Sequence, residues 1–210
     1  MVDLDMNQII HAAVRRDLAR METALRGLAE ADADRAAGLK RAWDVLWRQL
    51  HRHHESEDTL VWPYVRGLAV VEPAVVDAME SEHQAMAAAC DAATAAIEAV
   101  VADPTAARAT AAADAVAEAA RVTDSHLEHE ERAITPVIQE RVDTPEWKTV
   151  EAELRKGSPF EAGELFAWLQ DGADPEVVAA LRSTVPAPVV TIMSRVFGFS
   201  YHRRVAPVWR

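Results

Sequence analysis

Two stretches of this chain read His-x-x-x-Glu-acid-x-x-(Val/Ile)-x-Pro: His53 to Pro63, and its echo from His126 to Pro136. In each, the His and the Glu stand four residues apart, so on a helix both leave one face on adjacent turns, about 6 Å from each other. That is the separation two ligands of one metal ion need. The second copy starts 73 residues after the first, and His83 follows His11 by 72. The matching offsets predict a duplicated helix pair.

Hydrophobic periodicity extends the pattern along the chain. A first helix, from about Asp5 to Ala29, has a seam of Val14, Leu18, Met21, Leu25 and Leu28 that runs backwards onto His11. A second, from about Ala36 to Leu68, reads Leu39, Trp43, Leu46, Leu50, His53, Glu57, Leu60 and Tyr64. Pro63 lacks a backbone donor, so this helix kinks or ends near 58–62. A third opens at Glu72-Pro73 and places His83 in the row Val76, Met79, Met86, Cys90 and Ile97. A fourth, from about Ala106, carries Ala115, Ala119, Val122, His126, Glu130, Ala133 and Val137. Beyond Pro145 the spacing predicts short helices near 145–154, 160–169 and 174–181. Residues 186–210 contain no acid and several arginines, and are expected to pack across the bundle. The fold expected is all-α: an antiparallel up-down four-helix bundle over 1–142 with a helical C-terminal extension over 143–210.

Charge and motifs narrow the function. A formal charge of -12 forgoes the counterion release that drives binding to nucleic acid. The single Cys90 excludes an intramolecular disulfide and fits a reducing compartment. No secretory leader and no apolar run of membrane-span length is read, membrane contact by the basic tail is not expected, and the expected location is cytoplasmic. No catalytic Ser or Cys arrangement, phosphate loop or haem-attachment motif is present, so no catalytic residue is assigned. Oligomeric state is left open.

Each of the four seams carries a histidine, and two carry a glutamate besides. An unpaired carboxylate in such a row costs several kcal/mol in desolvation. His11, His53, Glu57, His83, His126 and Glu130 are therefore the candidate metal ligands. Four imidazoles with two carboxylates suit a pair of iron or manganese ions, whereas zinc generally closes with four ligands. The ferritin-like pattern, richer in carboxylate and built on Glu-x-x-His, is not the one written here.

On these residues, from about Asp5 to Arg141, the chain resembles the hemerythrin-like, or HHE cation-binding, family. The resemblance implies a four-helix bundle holding two Fe ions in an oxo- or hydroxo-bridged di-iron centre, with those six residues as ligands and Glu57 and Glu130 bridging. It also implies binding or sensing of a small ligand such as O2, NO or peroxide. The alternatives are a di-iron enzyme that decomposes hydrogen peroxide or oxidises ferrous iron, and a metal-stabilised interaction module. Oxygen-carrying members have a second histidine where this chain has Met79, so His54 or Glu80 would complete the shell, or a position stays open. They also commonly place the last carboxylate at the position of Glu131.

Overall fold

The structure, a computed structural model, describes residues 4–210 and is all-helical, with no strand among the described residues. The first three residues, at the end where no leader is read, lie outside the described ones. Helix α1 (Met6–Arg26) starts from a capping box: Asp5 accepts from the Gln8 backbone amide, and the Gln8 side chain accepts from the Asp5 amide. Asp32 caps α2 (Ala33–Ser56) through the Arg35 amide, and Thr105 caps α5 (Ala106–Ala133) through that of Arg108. Between them, α4 (Pro73–Ala102) opens with proline in its first turn. A bond from the Ala31 amide to the Pro104 carbonyl, 2.8 Å, joins the α1–α2 and α4–α5 loops.

Each long helix packs against two others. Between α1 and α5, Arg26 meets Asp114 at 3.0 Å, Arg15 meets Asp124 at 2.6 Å, and Asn7 meets Glu130 at 2.8 Å. Between α2 and α4, Lys40 faces Glu98 at 3.5 Å, Trp43 donates to Thr94 at 2.7 Å, and His54 stacks on His83 with ring centres 4.2 Å apart. Apolar side chains form two clusters along these helices. The larger holds Leu18, Leu46, Leu50, Cys90, Ile97 and Leu127; the smaller holds Val61, Trp62, Val65, Met79 and Ile134. On α2 and α4 the seam histidines lie in sequence between residues of the two clusters, and on α1 His11 lies between Ile9 and Ala13 of the larger one, so apolar packing flanks the polar layer.

The second helix departs from the expected single element. After Ser56 the chain makes one turn of π-helix, Glu57–Val61, and resumes as α3 (Trp62–Leu68), with Pro63 in the first turn. A π turn accommodates one extra residue, which rotates everything beyond it by about 100°. The expected seam positions Leu60 and Tyr64 are accordingly only half buried, and Val61, Trp62 and Val65 fill the core. The fourth helix is also shorter than its seam: α5 stops at Ala133, and a separate turn, α6 (Thr135–Gln139), carries Val137.

Helices α7 (Pro145–Leu154), α8 (Pro159–Gln170) and α9 (Pro175–Thr184) follow, then α10 (Ala187–Ile192), a second π turn (Met193–Phe197) and α11 (Phe199–Arg204). A 3-10 turn (Ala206–Trp209) follows α11. Trp168, Leu181, Val190, Tyr201 and Val208 join the same apolar cluster as α1 and α2. Buried Asp17 anchors this packing: it accepts from the Trp168 indole at 2.8 Å and from Arg16 at 2.7 Å. Where α8 crosses the second π turn, backbones touch; a Cβ on Gly163 would stand 2.5 Å from the Phe197 carbonyl carbon. The tail is not wholly covered, because Val189, Ile192, Val196 and Phe199 remain exposed.

Candidate metal centre

The first turns of α1 supply His11, the end of α2 supplies His53 and His54, and the π turn begins with Glu57. His83 comes from the middle of α4, and His126 and Glu130 from the last two turns of α5. The structure gathers all six seam residues and adds His54. They form two groups, His11, His53, Glu57 and Glu130, and His54, Glu57, His83 and His126, each offering ligand atoms within 4.8 Å of one another. Glu57 belongs to both. Its Oε1 lies 3.1 Å from His53 Nε2 and its Oε2 lies 3.4 Å from His83 Nε2.

Hydrogen bonding on the outer edge of the rings fixes what the inner edge can do. His11 Nδ1 donates to Glu131 at 2.8 Å, His83 Nδ1 to Asp58 at 2.8 Å, and His126 Nδ1 to Glu82 at 2.9 Å. A neutral imidazole has one N–H, so these bonds leave Nε2 as a bare lone pair. His83 Nε2 and His126 Nε2 nevertheless approach to 3.1 Å. Two lone pairs at that distance repel unless a cation lies between them. His11 Nε2 and His53 Nε2 are equally close, 3.1 Å. Nitrogens about 2.1 Å from one ion and at right angles across it are about 3 Å apart, so the spacing fits adjacent ligands of a single metal. A carboxylate behind a ligating histidine is also the usual support for such a site. His54 Nε2 and Glu57 Oε2 are buried without a hydrogen-bond partner, which leaves them free for an ion, and Glu130 Oε2 faces His11 Nε2 at 3.2 Å.

Electrostatics agree. Burial, reinforced by the His11 ring beside it, lowers His53 to about 3, and burial followed by the charge of His53 lowers His54 well below the usual range. Burial and then His83 lower His126. All three are neutral near pH 7, the form that binds metal. Burial, and the neighbouring Glu130, push Glu57 up. Burial works to raise Glu130 too, but the hydrogen bond with His11 and the nearby histidine charges outweigh it and hold that carboxyl at about 2. Burial would lower His11, yet its bonds with Glu130 and Glu131 leave it raised. Carboxylates that draw a proton onto a fully buried histidine make a pocket suited to a cation.

Several positions differ from expectation. Glu80 does not join the groups: its carboxylate accepts from Arg66 at 2.9 Å on the exposed side of α4. His54, one step round from the seam, takes that place by stacking on His83. Glu130 turns only Oε2 inward, because Oε1 accepts from Asn7 at 2.8 Å. Glu131 binds the back of His11 and is held by Arg15 at 2.7 Å. Met79 is fully buried in the smaller apolar cluster. Asp58, Glu82 and Asn7 were not singled out by the seam. The one signal for Asp58 is its place as the acid after Glu57, which Glu131 mirrors after Glu130.

No curated protein and no solved structure matched the chain. The sequence model of the Hemerythrin HHE cation binding domain matches residues 9–138, more than half the chain and the span that contributes every residue of both groups. The chain belongs to the hemerythrin HHE cation-binding family, and its buried His/Glu cluster fits a metal site.

Proposed function

We propose that the chain holds two iron ions, one in each His/Glu group, and that this centre binds or senses O2, NO or peroxide. The observation that carries the reading is Glu57, whose two oxygens face histidines of different groups. The proposed scaffold is an antiparallel up-down bundle over residues 1–142, with 143–210 as a helical extension packed on it and a cytoplasmic setting. Contacts between α1 and α5, and between α2 and α4, pair rising numbers on one helix with falling numbers on the other, which supports the antiparallel order.

A bound iron pair supplies open coordination and reversible electron transfer for a small ligand. The chain supplies the rest. His11, His53, His54, His83 and His126 present ring nitrogens, Glu57 spans the two groups, and Glu130 offers one oxygen while Asn7 holds the other. Trp62, Met79 and Ile134 close one end of the layer against water. A second reading, turnover of peroxide or oxidation of ferrous iron, is favoured by Glu82. Its Oε2 meets His126 and its Oε1 meets the partly exposed His129, both at 2.9 Å, so a hydrogen-bonded path runs from the centre to a ring at the surface.

The test is elemental analysis with an absorption spectrum taken before and after hydrogen peroxide. The reading expects two irons per chain, near-ultraviolet bands that change on ligand addition, and loss of both irons in Glu57→Gln. Oxygen release that disappears in His126→Ala would favour the enzyme. One zinc, or a folded chain from iron-replete cells without metal, would overturn the proposal.

A further inference from the structure

Where the turn at the end of α11 meets the first turns of α2, the surface forms a cleft of about 560 Å3 lined by Arg35, Arg41, Arg203 and Arg204, with Asp34, Gly38 and Val208 beside them. The absence of a side chain at Gly38 helps to open it. A Cβ there would sit 3.5 Å from Val208 Cγ2 and 3.6 Å from an Arg41 guanidinium nitrogen, so Arg41 lies across the glycine. Arg35 donates to the Val208 carbonyl, which fixes its guanidinium at the wall.

Of the arginines that make no salt bridge among the described residues, four line this one cleft. With 34 acidic residues against 22 basic ones, a basic side chain readily finds a carboxylate. Arg15, Arg26, Arg48 and Arg66, among many others, do so. None of the cleft arginines makes a salt bridge among the described residues, although Asp34 lines the same cleft. Four guanidinium groups around one concavity repel one another until an anion sits among them. The recess is open rather than enclosed, so a ligand there keeps part of its surface in water, which suits a strongly hydrated anion. Arginine presents paired N–H donors in a planar fork. A carboxylate engages one fork, whereas a phosphate ester offers three oxygens that several arginines can share.

We propose that this cleft binds a small phosphate-bearing anion, at a place separate from the His/Glu layer and independent of which metal that layer holds. Isothermal titration of the metal-loaded full chain with inorganic phosphate and with fructose 1,6-bisphosphate tests it. Tricarballylate serves as the carboxylate counterpart and phosphatidylserine vesicles as the lipid one. Saturable binding is expected, tighter for the bisphosphate. Arg41→Glu or Arg203→Glu, both at exposed positions, should weaken it at least about tenfold. Arg182→Glu, the same charge change outside the cleft, should leave it unaltered. Circular dichroism and metal content measured on every variant separate loss of the anion from loss of the fold or the centre. No saturation by about 10 mM, or equal weakening in Arg182→Glu, would overturn the site. Tricarballylate binding as tightly as the bisphosphate would overturn the phosphate class, and binding to vesicles alone would overturn the small-molecule ligand.

Discussion

Glu82→Gln isolates what the outer carboxylates contribute to the metal centre. Glu82 accepts from His126 Nδ1 and His129 Nδ1, both at 2.9 Å, and about a third of its side chain faces solvent. A hydrogen bond to a charged group contributes about 1.5–3 kcal/mol, and exposure of this degree trims it. Glutamine keeps one acceptor oxygen but removes the charge that raises the basicity of His126. About 1–2 kcal/mol of metal affinity should be lost, which is about a 5- to 30-fold weakening. The assay is competition with a chelator, following metal loss from wild type, Glu82→Gln and Glu80→Gln. Glu80 is two residues away, carries the same charge, and pairs with Arg66 on the exposed side of α4, so its variant should match wild type. Wild-type affinity in Glu82→Gln, or an equal loss in Glu80→Gln, would show that the carboxylate behind His126 does not tune the site.

Removing the Asp17 carboxylate leaves the Trp168 indole N–H and two guanidiniums without their shared acceptor. Asp17→Ala should therefore cost about 2–4 kcal/mol in chemical denaturation, with Asn recovering part of it by accepting from the indole. Gly163→Ala drives a methyl into the Phe197 backbone and should cost about 3 kcal/mol in the same assay. Gly38→Ala meets nothing closer than 3.5 Å and removes a helix-interior glycine, so it should stabilise by about 0.5–1 kcal/mol. Burial, with a smaller effect from Asp91, pushes the Cys90 thiol up to about 12. No reaction with a thiol reagent is expected at pH 8 until the chain is unfolded, and labelling of the native protein would refute that.

The helical period made most of the centre legible, because burial on a seam and ligation at a seam demand the same spacing. His11, His83, His126 and Glu130 hold seam positions that apolar residues hold one or two turns away, and the His-x-x-x-Glu repeat adds His53 and Glu57. The starts expected near 145, 160 and 174 fall within a residue of α7, α8 and α9, since proline and capping residues mark them locally, whereas the third helix runs on to Thr184, three residues past the expected 181. Residues whose role is set from across the bundle left no such trace. Asp58, Glu82 and Asn7 occupy faces that read as solvated, and only the approach of another helix turns each carboxylate or amide toward a ring nitrogen or the Glu130 carboxylate.

The π turn explains why periodicity failed at one specific place. A strict 3.6-residue period carries the seam from Glu57 to Leu60 and Tyr64. The extra residue of Glu57–Val61 turns the helix face beyond the ligands. Up to Glu57 the helix face presents two adjacent histidines and a carboxylate to α1, α4 and α5; beyond it the face has turned by one residue, so Val61, Trp62 and Val65 pack where Leu60 and Tyr64 were expected. Pro63, which cannot donate to the helix ladder, makes such a slip inexpensive at this point. The acid and proline that follow Glu57 in the repeat are thus tied to two separate tasks. Asp58 steadies His83 from behind, while the proline lets the chain leave the ligand layer on a different face.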